Sequence, residues 1–149
     1  MNKLLLTPAQ VARIEEEGAQ TYPNECCGIM IGRDVSDGAC TRRIVERLEP
    51  MRNTWDAQEQ RRRFAIDPLA LMRAEKSAAE SGHLVIGFYH SHPDHPARPS
   101  ETDRQFGWPF YSYVIVSIAR GRPADMTSWV LDEATEAFAP QDIETESSK

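Results

Sequence analysis

Several things are missing from this chain of 149 residues, and each absence removes a class of function. No apolar run approaches the ~20 residues of a membrane span. The opening Met1-Asn2-Lys3-Leu4-Leu5-Leu6 is too short for the apolar core of a signal peptide, so a cytoplasmic protein is expected. Cysteine is scarce: Cys26 and Cys27 are adjacent and Cys40 stands apart. An odd count without a CxxC pair excludes a zinc ribbon or a thioredoxin-like site and fits a reducing compartment, with these thiols buried or half-buried. Excess positive charge is also absent. A net charge of −6 and a pI near 5.2 argue against a nucleic-acid partner. The string HExxH does not occur, which excludes that class of protease, and the PCxxC of a nucleoside deaminase is missing too. There is no internal repeat and no low-complexity tract.

What is present has the composition of an ordinary globular protein, 40% hydrophobic and 27% charged, in a length that fits one domain. The expected domain covers 1–139, and 140–149 is expected to be a disordered acidic tail. Thr7-Pro8-Ala9-Gln10 reads as a capping box with proline at the first helical position, opening a helix over about 8–20. Val11, Ile14, Gly18 and Tyr22 give that helix its inward face. Cys26–Gly32 and Thr41–Leu48 read as a hairpin around a turn-rich Asp34–Gly38. Residues 50–60 read as a loop, and Phe64-Ala65-Ile66 as a short strand. Asp67-Pro68 starts a second helix that stops at Gly82. Leu84–His90, Val114–Ile118 and Met126–Leu131 are further strands. Helices and strands interleave around one sheet, so the class is α/β or α+β. Two basic clusters, Arg42-Arg43 with Arg47 and Arg61-Arg62-Arg63, read either as solvated strand edges or as a docking patch for an acidic partner.

The chemistry concentrates in Gly87-Phe88-Tyr89-His90-Ser91-His92-Pro93 and the segment up to Asp103. Side chains alternate along a strand, so His90 and His92 face the same way, where two imidazoles can converge on one zinc ion. Pro93 ends the ladder by removing a donor. Ser100-Glu101-Thr102-Asp103 is a helix cap whose first turn is a rigid mount for the Asp103 carboxylate. Used as a third ligand, Asp103 would leave a fourth position open for water, the arrangement of catalytic zinc. His95 lies in the same loop as a candidate substrate contact.

The spacing His90-x-His92, seven residues, Ser100, two residues, Asp103 resembles the JAMM motif of the MPN metallopeptidases. Glu25, ahead of the first long strand, occupies the place of that family's upstream glutamate. Arg63-Phe64-Ala65-Ile66-Asp67-Pro68 is similar to the segment leading into its second helix, so the resemblance spans most of 5–131. It implies a single domain with a central mixed sheet flanked by helices, cytidine-deaminase-like in architecture. It implies one zinc ion per chain on His90, His92 and Asp103, Glu25 as the proton-transferring carboxylate, and Ser100 as donor to the oxyanion. The chain is most similar to short bacterial-type members that act on ubiquitin-like sulfur-carrier proteins, releasing an adduct such as cysteine after a C-terminal Gly-Gly. About 46 residues follow Asp103, little room for the large second insertion of eukaryotic deubiquitinases. A deubiquitinase-like isopeptidase and a non-catalytic MPN scaffold are the alternatives. The resemblance allows a homodimer and implies neither nucleic acid nor membrane as partner.

Overall fold

The computed structural model describes residues 2–145, which form seven strands, three α-helices and one short 3-10 turn at Ala57–Glu59. The strands are β1 (Asn2–Leu5), β2 (Cys27–Asp37), β3 (Cys40–Met51), β4 (Leu84–Pro93), β5 (Ser112–Ala119), β6 (Arg122–Asp132) and β7 (Ala137–Glu144). The helices are α1 (Pro8–Thr21), α2 (Pro68–Glu80) and α3 (Glu101–Phe106). All strands belong to one mixed sheet in the order β1-β3-β2-β4-β5-β6-β7, and β1 pairs parallel with both β3 and β7, which closes it.

Local chemistry accounts for the helix starts. Thr7 accepts from the Gln10 amide, and the Gln10 side chain accepts from Thr7 in return. Asp67 accepts from Leu69 at the head of α2. Ile14 and Gly18 of α1 pack with Leu4, Met30, Tyr89, Val116 and Ile118 on one side of the sheet. Ala74 and Ala78 of α2 pack with Ile29, Ile31, Val85 and Phe88 on the other. Each apolar face thus removes its surface from water, at about 25 cal/mol per Å².

A bulge on β4 decides which way the histidines point. Gly87 pairs with Met30 and Val85 with Ile31, so the register skips Ile86. Strict alternation from Val85 would put His90 on the opposite side of the sheet from it. The extra residue brings Phe88, and with it His90 and His92, to the α2 side. Gly87 is required at this kink, because a Cβ there would lie 2.0 Å from the Ser112 carbonyl oxygen.

Four expectations need correction. Strands β1 and β7 were not foreseen. The disordered tail expected from residue 140 is instead strand up to Glu144, paired with β1 and β6, while 146–149 lie outside the described residues. The hairpin turn is only Gly38-Ala39, with Gly38 at φ +64°, and β2 runs through the stretch read as turn-rich. Phe64–Ile66 is irregular: the Ala65 amide donates to the Asn53 side chain, and its carbonyl accepts from Thr54, so a side chain replaces the ladder.

Arg43 is not part of a docking patch. It is buried, forms a two-bond ion pair with Asp34, and donates to the carbonyls of Ile86 and Phe110 and to the Ser112 hydroxyl. Five donor contacts tie β3, β2, β4 and β5 together through one guanidinium. Removing it strands buried acceptors. Arg43→Met is expected to lower the unfolding free energy by about 2–3 kcal/mol. Urea denaturation checks this, and a loss within about 0.5 kcal/mol of zero would mark the network as dispensable.

Candidate metal centre

The centre forms where β4 outruns its apolar stretch. His90 and His92 are both buried, at 1% and 5% exposure. Their Nε2 atoms lie 3.2 Å apart. The Asp103 carboxylate bridges them, with Oδ1 at 3.2 Å from His90 Nε2 and Oδ2 at 3.1 Å from His92 Nε2. A tetrahedral ion holding ligands at about 2.0–2.1 Å separates them by about 3.3–3.4 Å. The observed spacings match that edge length within a few tenths of an ångström. The three residues could hold a metal ion.

Each ligand has its own support. His92 Nδ1 is 2.9 Å from the Pro96 carbonyl, so it donates there and leaves Nε2 as the free lone pair. His90 is held by packing, with the Phe64 ring stacked on it at 4.5 Å between centroids. Asp103 sits at the third position of α3. Its amide donates to Ser100 Oγ and its Oδ2 accepts from the Ser100 amide, a closed capping box. The cap read from the sequence is therefore also what aims the carboxylate.

Electrostatics favours the protonation states that metal binding needs. Burial lowers the pKa of His90, against the opposing pull of Asp103, which keeps the imidazole neutral. Burial pushes Asp103 upward, but its closeness to the His90 and His92 imidazoles, which attract the carboxylate whenever either holds a proton, outweighs this and holds the carboxyl well below the usual range. Cys26 and Cys27 are buried and pushed up to about 12, mainly by burial, so neither is a thiolate nucleophile at neutral pH.

Glu25 reaches the centre through strand pairing. Cys27 is opposite His90 in the antiparallel β2–β4 register, and continuing two residues brings Glu25 opposite His92. Ser91 secures this end: its Oγ accepts from the Cys26 amide, and its own amide donates to the Cys26 carbonyl. Glu25 is 4% exposed, its amide donates to the Gln60 carbonyl and its carbonyl accepts from Asn53. Glu25, His92 and Ser100 line one cavity, together with His95. Ser100 Oγ already accepts from Asp103, so its own hydrogen remains available for donation. All five site residues read from the sequence thus meet at one end of β4. Pro96, Phe64, Asn53 and Gln60 were missed; each acts through a backbone contact or ring packing that has no motif, although the polar 50–60 loop was noted.

Residues 8–132 match the family of prokaryotic homologs of the JAB domain. Desampylase of Haloferax volcanii is 34% identical over 108 residues, 72% of this chain and 72% of that protein. A probable TtuB-protein conjugate cleaving protease of Thermus thermophilus is 36% identical over 81 residues, covering 54% of this chain and 47% of that one. A solution structure of a Desulfitobacterium hafniense protein superposes with a TM-score of 0.78 at 31% identity, covering 97% of this chain and 94% of that one.

Glu25 supplies a stability test. Burial, reinforced by the Asp103 charge, pushes its pKa up to about 9. In metal-free protein the folded state therefore binds a proton that the unfolded state has already released. That contribution is complete below the ordinary carboxyl range and is lost as pH rises toward 9. The slope is at most ~1.4 kcal/mol per pH unit. Thermal melts of chelator-treated protein between pH 6 and 9 should show a steeper fall for the wild type than for Glu25→Gln. Parallel curves would place Glu25 in solvent.

Proposed function

The chain belongs to the prokaryotic homologs of the JAB domain, and on that premise we propose that it is a zinc-dependent peptide or isopeptide hydrolase. Its substrate in this reading is a ubiquitin-like sulfur-carrier protein, cut after a C-terminal Gly-Gly to release an adduct such as cysteine. The observation that carries the reading is the His90, His92 and Asp103 set meeting within 4.8 Å beside a buried Glu25 and the helix-capping Ser100.

Two imidazoles and one carboxylate suit zinc, and three protein ligands would leave a position open. A bound zinc ion would supply Lewis acidity that lowers the pKa of a water toward ~7 and polarises the scissile carbonyl. The remaining work belongs to the chain. Glu25 takes a proton from the attacking water and delivers it to the leaving nitrogen, so that the carbon gains a hydroxyl as the C–N bond breaks. Such transfer contributes typically about 10²–10⁴ in rate. Ser100 donates its free hydrogen to the developing oxyanion, a contact worth on the order of 2.7–4 kcal/mol. His92, oriented by Pro96, and Asp103, fixed by its cap, need no reorganisation during the reaction.

The tail of the substrate fits an apolar cavity of about 300 Å³ on the Asp103 side, bounded by Phe64, Ile66, Phe88, Phe106 and Trp108. Glycine at the cut suits a backbone pressed against the centre, where a side chain would collide. The names of the Haloferax and Thermus relatives, a desampylase and a protein-conjugate protease, favour a second reading: an isopeptidase on ubiquitin-like conjugates. A binding-only scaffold is disfavoured because none of the five residues is replaced.

Purified protein is expected to hold about one zinc per chain, and His92→Ala or Asp103→Ala to lose it. Glu25→Gln should retain the metal and lose at least ~10² in turnover. Stoichiometric zinc in both ligand variants would remove the site assignment. Incubating zinc-loaded protein with a carrier–cysteine adduct and with linked ubiquitin chains, followed by mass measurement, should show cleavage after Gly-Gly in the adduct. Cleavage of the chains alone would favour the second reading.

A further inference from the structure

The centre has two walls of different chemistry. One is the apolar cavity described above, which includes His90 and Asp103. The other is a cavity of about 380 Å³ that carries Arg62, Arg63 and Arg98 beside Glu25, His92 and Ser100. Its cations are largely uncompensated. Arg62 shares Glu59 at 3.3 Å on an exposed edge. Arg63 has its guanidinium over the Trp55 ring at 5.6 Å, and among the described residues it meets no acidic side chain. Arg98 also lines this wall, and among the described residues its side chain forms no hydrogen bond or ion pair. The one other acid on this wall, Glu101, is already taken by two bonds from Arg104, at 2.5 and 3.1 Å.

Glu25 identifies which fragment leaves through this wall. It borders the arginine cavity and a neighbouring one lined by Asn24, Asn53 and Gln60, but not the apolar cavity. If Glu25 delivers the proton to the leaving nitrogen, as in the proposed function on which this inference rests, the departing amine is on the arginine side. The tail of the carrier then occupies the apolar side. An amino acid joined through its α-nitrogen has its carboxylate two bonds from that nitrogen, within about 2.5 Å. A lysine joined through its side-chain nitrogen presents four methylenes in the same space and no charge. Planar guanidiniums bind carboxylates through paired N–H donors, and a carboxylate left in this cavity would meet two unpaired ones.

We infer that Arg63 and Arg98, with Arg62 at the rim, form a carboxylate-reading subsite that selects leaving groups with a free α-carboxylate over lysine side chains. The wall would thereby distinguish a carrier ending in one extra amino acid from a carrier linked to a protein.

The test uses two fluorescein-labelled peptides ending in Gly-Gly-Ser, one with a free C-terminal carboxylate and one with a carboxamide. Binding to zinc-loaded Glu25→Gln protein is followed by anisotropy, and cleavage by the zinc-loaded wild type is followed by mass. The free acid should bind at least about tenfold more tightly than the amide. Arg98→Gln, in an exposed loop, and Arg63→Gln should each bring that ratio toward one. Arg98→Lys, which keeps the charge but not the fork, should fall between. A ratio near one in the parent protein, a ratio indifferent to both glutamine variants, or no binding of the free acid at millimolar concentration would each overturn the subsite. Equal cleavage of both peptides would also overturn it while leaving the hydrolase reading intact. A preserved, arginine-dependent binding ratio without any cleavage would support the subsite and count against the hydrolase reading.

Discussion

Two buried imidazole nitrogens 3.2 Å apart, with one carboxylate spanning them, impose a requirement that the rest of the molecule meets. Neutral imidazoles and an ionised carboxylate at this spacing direct their lone pairs to one point, where a cation would satisfy all three. Holding such polar groups together inside the protein takes a rigid mount, because their hydration is lost on burial. The sheet provides the mount. β4 lies between β2 and β5, so its backbone is held on both edges, and Ser91 extends the hold to Cys26 beyond the ladder. The bulge at Ile86 then turns His90 and His92 to the side where α3 and the 50–66 segment can reach them.

The supports are unequal in kind, and the difference matters for chemistry. Asp103 is fixed by a local motif, a capping box of four residues, so its geometry depends little on the rest of the fold. Glu25 is fixed by long-range contacts, the Gln60 carbonyl and Asn53 side chain, which also anchor the loop above it. A change in that loop would therefore move the proton-transferring group in the proposed reaction while leaving the ligand set in place. The same segment provides Phe64 to one wall and Arg62 and Arg63 to the other. One irregular stretch thus shapes both sides of the centre.

Much of this was legible in the sequence wherever the signal was local. The capping boxes at Thr7 and Ser100, the proline-led start at Asp67, the strand periodicity that pairs His90 with His92, and the burial of Cys26 and Cys27 all follow from residues within a few positions of each other. What failed was non-local. Strand β1 is four residues long, and β7 buries only Gln141, so neither has a long apolar alternation to detect; both are held by pairing, β1 with β3 and β7, and β7 with β6 and β1. Arg43 resembled a surface cation because its partners, Asp34, Ile86, Phe110 and Ser112, are scattered over nearly eighty positions. The place of Glu25 in the site was accessible only through resemblance, since the β2–β4 register that carries it there has no signature before the strands are paired.

The central claim is that His90, His92 and Asp103 are the protein ligands of one zinc ion with a fourth position left to solvent. X-ray absorption at the zinc edge of the purified protein tests it directly. The account predicts two imidazole shells and two light oxygen or nitrogen scatterers at about 2.0–2.1 Å, one from a carboxylate and one from water, with no sulfur. A zinc–sulfur shell at about 2.3 Å would contradict it, because that would require a cysteine thiolate where Cys26 and Cys27 are buried and protonated.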